Sequence, residues 1–202
     1  KKRPDINSTY LNYFMLFLGH QNLNNRKMKI AIAGAHRVGK TTLAEELIKH
    51  LPGYVLKKEP YHELEESGYD FSEIPEADDF IAQFEYAVEQ ISEDDDKVIF
   101  DRCPVDLLAY IHAIDRSRNI QSLFATAQEI IEEIDLLVFV PIEEPDVISC
   151  EKSDFPKLRN NVNDILNEWI WDFDIETIEV HGTLANRRNQ ILNKISKIPI
   201  GN

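Results

Sequence analysis

Two hydrophobic rhythms alternate along the chain. Short, nearly unbroken apolar runs at 28–33, 54–58, 97–100, 136–140 and 175–180 have the length and content of buried strands. Between them, apolar residues recur every three or four positions, as on one face of a helix. Leu43, Ala44, Leu47, Ile48 and Leu51 mark the first such face, and Phe80, Ile81, Phe84, Val88 and Ile91 mark the next. Further helical patterns run over 107–114 and 123–134. Leu158, Val162, Ile165, Leu166 and Trp169 then fall in phase, and a last helix reaches about residue 198. The polar stretch between residues 60 and 79 has no apolar face and reads as a connection. LLVFV at 136–140 is apolar throughout and reads as a central, buried strand. Strand followed by helix, without repeats or a low-complexity linker, predicts an α/β domain over 28–202. Its architecture is a doubly wound, five-stranded parallel sheet covered on both faces, with ligands beyond the carboxyl ends of the strands.

Residues 1–27 precede this pattern. Lys1-Lys2-Arg3 and YLNYFMLFLG imitate a signal peptide, but Asn12 interrupts the apolar run and no small-residue cleavage site follows. The segment reads as a peripheral N-terminal extension, a short helix with an aromatic face, that catalysis does not need.

Charge narrows the partners. The chain of 202 residues carries 22 basic and 36 acidic side chains, a net charge of -14. Nucleic acid polymers and anionic membranes are bound by clustered Lys and Arg, so neither is expected as a partner. A small anion remains compatible, since a few local cations and backbone amides overrule global charge. No run has the length of a membrane span. Two cysteines, Cys103 and Cys150, read as free thiols of a cytoplasmic protein.

The chemistry lies in GAHRVGKTT. Gly34, four residues, then Gly39-Lys40-Thr41 between a strand and a helix match the Walker A phosphate loop. Its backbone, Gly34, Ala35, His36, Arg37, Val38, Gly39, Lys40, Thr41 and Thr42, is the expected cradle for the phosphates of ATP. Helix-terminal amides and glycine turns there favour an anion. Lys40 is expected on the β- and γ-phosphates and Thr41 on Mg²⁺. Asp101 closes an apolar run, where a carboxylate would hold the same Mg²⁺; a plain strand-end cap is the other reading. An AAA-type mechanical ATPase would place Glu next, to polarise water, but Arg102 stands there.

Taken together, these residues resemble the P-loop kinases of nucleosides and nucleotides. The group includes deoxynucleoside kinases, thymidylate kinases and the nicotinamide riboside kinase domain of bifunctional NAD-biosynthesis proteins. The resemblance covers 28 to about 198. It rests on the Walker A loop, on Glu59-Pro60 after the second strand and on Asp101-Arg102 after the third. It implies the nucleotide-kinase type of P-loop NTPase fold and transfer of a phosphoryl group from ATP, with Mg²⁺, to a small-molecule acceptor. Glu59 would bind the acceptor or act as general base, and Arg102 would face the acceptor. Such kinases carry a lid with arginines after strand four; the equivalent segment here offers Lys152, Lys157 and Arg159, of which Arg159 is the favoured lid cation. Gln83 is a candidate base reader and His181-Gly182 a candidate adenine-side turn. Arg37, two residues before Gly39, is expected to bridge the transferring phosphoryl group as an arginine finger in cis, unless it turns outward to a surface carboxylate.

Two other classes compete. An AAA-type ATPase, or a regulatory domain coupling hydrolysis to a partner, needs the missing glutamate and an arginine finger from a neighbouring subunit. A GTP-binding switch needs Asn-Lys-x-Asp, and the nearest match, NKIS at Asn193, lacks the aspartate. The sequence admits a homodimer and leaves the acceptor open.

Overall fold

The computed structural model describes residues 27–93, 95–146, 148 and 150–198. All of the extension read at 1–27 except Lys27 lies outside them. The element order is β1 (Met28–Ala33), α1 (Lys40–Ile48), β2 (Val55–Lys57), α2 (Pro60–Glu66), α3 (Ala77–Ser92) and β3 (Lys97–Asp101). There follow α4 (Pro104–Ile114), α5 (Gln121–Ile131), β4 (Leu136–Phe139), a 3₁₀ turn (Lys152–Asp154), α6 (Pro156–Trp169), β5 (Thr177–Glu179) and α7 (Leu184–Lys197). All strands are parallel, in the order β2-β3-β1-β4-β5. This is the doubly wound α/β sheet read from the sequence.

Burial explains the strand signals. Ile30, Ala31, Ile32, Ala33 and all of β4 are inaccessible to solvent, as continuous apolar strands flanked on both faces must be. β1 takes the middle place and β4 lies between it and β5. β2 and β5 are shorter than the apolar runs that announced them; as edge strands they lack a second partner, and Val55 is exposed.

The polar stretch after the second strand contains a helix that the sequence reading did not place. α2 follows Glu59 directly, with Pro60 in its first turn, where a missing N–H costs nothing. Its sequence, PYHELEE, buries only Pro60, so it has no apolar stripe to reveal it. α4 is the opposite case. Every residue from Pro104 to Ile111 is buried, because the helix is packed between α3 and α6. No described helix is long and apolar enough to cross a membrane, and both Cys103 and Cys150 are free.

The site is positioned by the point where the sheet reverses direction. β1 pairs with β3 on one side and β4 on the other, so the loops leaving β1 and β3 open into one crevice. Ile32 of β1 and Asp101 of β3 are register partners, which brings the end of β3 beside the phosphate loop.

Candidate active site

The loop between β1 and α1 is shaped by positive backbone torsions. Gly39, the residue before α1, has φ of 88° and Arg37 has φ of 57°. At Gly34 a Cβ would lie 2.4 Å from the carbonyl oxygen of Val140, so only glycine fits against β4.

Four successive loop carbonyls are held by cations. Lys40 Nζ donates to Ala35 O at 2.7 Å, Arg159 Nε to His36 O at 3.0 Å and Arg159 Nη2 to Arg37 O at 3.0 Å. Arg187 Nη1 donates to Val38 O at 2.7 Å. The carbonyls are thereby occupied, and the first amides of α1, which have no partner within a helix, remain for an anion. Both arginines are buried and are themselves anchored by the segment after β4. Arg159 Nη1 donates to Asp146 at 2.6 Å and Arg187 Nη2 to Glu143 at 2.8 Å. Glu143 also accepts the Gly182 N–H at 2.6 Å, tying in the turn after β5.

Lys40 is 5% exposed. Burial, aided by Arg102, lowers its pKa to about 8. Asp101 is also buried. Burial raises its pKa, against the pull of the Thr41 hydroxyl and of Lys40. Its Oδ1 has no hydrogen-bond partner among the described residues. A buried carboxylate oxygen without a partner beside a hydroxyl fits a hard, oxygen-seeking cation such as Mg²⁺.

Beyond the loop, Arg102 organises a second cluster. It is buried and has φ of 121°, a region that disfavours side chains and costs about 1–3 kcal/mol. Its partners hold it there. Nε donates to Glu59 Oε1 at 2.5 Å, Nη1 reaches Asp106 Oδ2 at 3.5 Å, and the guanidinium lies 5.2 Å from the centre of the Tyr110 ring. Burial opposes the charge of Glu59, yet its pKa is held low by Arg102 and Lys40. Asp106 is pushed up to about 6 by burial against the pull of Arg102; its Oδ1 also accepts the Cys103 N–H at 2.9 Å and caps α4.

Tyr110 joins this cluster to the loop. Its oxygen accepts the His36 N–H at 2.6 Å and meets His36 Nδ1 at 2.7 Å, while His36 Nε2 meets Asp154 O at 2.6 Å. A carbonyl only accepts, so the Nε2 proton faces Asp154 and Nδ1 takes the Tyr110 hydroxyl proton. Burial lowers the His36 pKa to about 4 and keeps the ring neutral.

A cavity of about 630 Å³ opens over these groups, lined among others by Arg37, Glu59, Arg102 and Tyr110, and by Tyr61, Phe80, Gln83, Asp154 and Phe155. Lys40 lies within electrostatic reach of Glu59, Asp101, Arg102 and Asp106, and of these Glu59 and Arg102 line the cavity. Arg37, with a side chain 54% exposed, sits on the rim and pairs with Asp154 at 3.0 Å. Arg159 is not among the lining residues; it lies under the phosphate loop. Thr42 is exposed on the first turn of α1. Gln83 lines the cavity and donates to Asp79 O at 3.2 Å. His181 pairs with Glu179 at 2.8 Å.

Sequence reasoning missed Asp106, Tyr110, Asp146, Glu143 and Arg187. A signal was present for three of them. Arg102, Asp106 and Tyr110 are spaced by four, and Arg187 stands on the stripe of Ile191 and Ile195, where a cation is out of place without a buried partner.

A family profile described as an AAA domain, AAA_28, matches residues 29–187. The chain belongs to the AAA_28 family. Solved structures with the same fold as this AAA_28 domain are P-loop nucleotide kinases. A deoxyadenosine kinase from M. mycoides, bound to dCMP as product and a flexible dCDP, is 19% identical with a TM-score of 0.58. The match covers 85% of this chain and 100% of that one. A thymidylate kinase from Candida albicans is 20% identical with a TM-score of 0.57, over 84% and 91% of the two chains. The NadR protein in complex with NAD and AMP-PNP is 14% identical with a TM-score of 0.60, over 98% of this chain and 59% of that one. No curated protein matches this chain by sequence. The P-loop fold of the nucleotide-kinase type, expected from the motifs, is the fold of the chain.

Proposed function

We propose that residues 28–202 form a cytoplasmic phosphotransferase domain that moves the γ-phosphoryl group of ATP to a hydroxyl of a nucleoside, nucleotide or related metabolite. One observation carries the reading: Glu59 and Arg102 line the cavity and lie within electrostatic reach of Lys40 and Asp101, the proposed phosphate and Mg²⁺ ligands. That is the placement needed for a donor phosphate and an acceptor hydroxyl to meet. The kinases sharing the fold support it.

ATP would lie with its phosphates along the loop amides, Lys40 leaving Ala35 O for the β- and γ-phosphates. Thr41 and Asp101 would hold Mg²⁺, which supplies charge neutralisation on the phosphate oxygens. The acceptor hydroxyl would donate its proton to Glu59 as its oxygen bonds to the γ-phosphorus. The bond from that phosphorus to the bridging oxygen breaks, and ADP leaves with the electron pair. Arg102 keeps Glu59 ionised and aimed. Most of the acceleration would come from positioning and charge, the proton transfer contributing modestly.

The AAA description of the family favours a second reading, hydrolysis coupled to a partner. Against it, Arg102 occupies the position of a water-polarising glutamate and is committed to Glu59 and Asp106. ADP release from ATP and Mg²⁺, measured with and without a panel of candidate acceptors, separates the two. Acceptor-dependent release supports the kinase; equal release without acceptor supports the ATPase.

A further inference from the structure

We infer that the cavity takes an uncharged, hydroxyl-bearing acceptor of the nucleoside type and rejects the corresponding 5′-monophosphate. The inference rests on the phosphotransferase reading and narrows it.

The argument is a count of charges facing the cavity. Its lining holds two permanent cations, Arg37 and Arg102, two carboxylates, Glu59 and Asp154, and the imidazoles of His36 and His62. His36 is held neutral. Each cation is already matched: Arg102 by Glu59, with Asp106 behind it, and Arg37 by Asp154. Lys152 and Lys157, on the lid segment, are exposed and do not line the cavity. A monophosphate carries close to two negative charges at neutral pH and is held in proteins by unshared arginine forks. Here it would have to break the Arg37–Asp154 pair, leaving Asp154 to repel it, and would still face Glu59. A neutral hydroxyl needs only a carboxylate acceptor, which Glu59 provides.

The rest of the wall fits the flat, uncharged part of such a ligand. Phe80 is stacked on Tyr110 with ring centres 4.5 Å apart and planes 3° from parallel. Tyr61, also on the wall, is stacked on Phe71 at 4.3 Å. Aromatic rings and the amide of Gln83 on one wall suit a planar, uncharged heterocycle.

The test measures kcat/KM for each common ribo- and deoxyribonucleoside and for its own 5′-monophosphate, with ATP and Mg²⁺ and the whole chain. Thin-layer or mass detection of the phosphorylated product accompanies ADP release. A nucleoside preferred at least 100-fold over its monophosphate is the expected result. A monophosphate preferred over its nucleoside would overturn the inference and leave the kinase reading standing. No acceptor dependence with either class would overturn both. Asp154→Asn frees Arg37 and is expected to narrow the nucleoside-to-monophosphate ratio at least tenfold, with a cooperative unfolding transition retained. An unchanged ratio in that folded variant would remove charge as the basis of selection.

Discussion

Arg102 donates from Nε to Glu59 Oε1 at 2.5 Å, joining two residues 43 positions apart at the carboxyl edge of the sheet. The pair aligns the carboxylate proposed to take the acceptor proton and keeps its pKa low. Glu59→Gln retains an oxygen for Arg102 but removes the base. It is expected to lower kcat about 10²-fold, within the usual range for general-base loss, while the ATP dissociation constant changes less than threefold. Steady-state kinetics with an active acceptor, beside ATP titration, checks both; equal loss of ATP binding would make Glu59 a structural residue.

Lys40 offers a pH signature. Its pKa in the ligand-free protein is lowered to about 8, and phosphate binding favours the charged form. ATP binding is therefore expected to take up a proton above pH 8, and affinity to fall as pH rises through that value. Calorimetry in buffers of different ionisation enthalpy reads the uptake directly. Lys40→Ala is expected to abolish turnover and the pH effect while cooperative unfolding persists, because among the described residues Lys40 bonds the loop carbonyl of Ala35 and no core group.

Asp101→Asn removes the charge proposed to complement Mg²⁺. Nucleotide affinity in the presence of Mg²⁺ is expected to fall at least tenfold, with affinity in chelator little changed. A variant with an intact metal requirement would take Asp101 out of the site.

Arg37 sits on the cavity rim, paired with Asp154. As an arginine finger in cis it would let go of that carboxylate and reach the transferring phosphoryl group. Arg37→Ala is then expected to lower kcat a hundredfold, about 3 kcal/mol of transition-state stabilisation, with ATP affinity much less affected. Near-normal kcat would leave Arg37 only as the tie to Asp154.

Gly34→Ala forces a Cβ to within 2.4 Å of the Val140 carbonyl oxygen. The backbone of β4 cannot yield without loosening its pairing with β1. A clear drop in unfolding temperature and loss of ATP binding are expected together, measured by thermal scans with and without nucleotide.

The legible parts of this protein were those whose signal is local. The phosphate loop was visible because its glycines, lysine and threonine lie within one turn of chain, and β1 and β4 because burial on both faces demands continuous apolar runs. Glu59 and Arg102 could be named singly, but their contact is set by the pairing of β2 with β3, which no short window records. α2 was missed because it buries only Pro60 and so shows no apolar stripe. Arg159 was read as a lid cation from its position after strand four; its contacts to His36 O and Arg37 O belong to tertiary structure, as does the whole role of Arg187.

The grip of Arg159 and Arg187 on the phosphate loop has a consequence for the order of synthesis. β1 and the loop are among the first described residues to leave the ribosome, but the side chains that fasten His36 and Val38 follow 123 and 149 positions later. A nascent chain can thus display the complete phosphate-binding sequence long before its carbonyls are fastened. On this reading, competence for nucleotide is expected late in translation, once α7 has packed against α1.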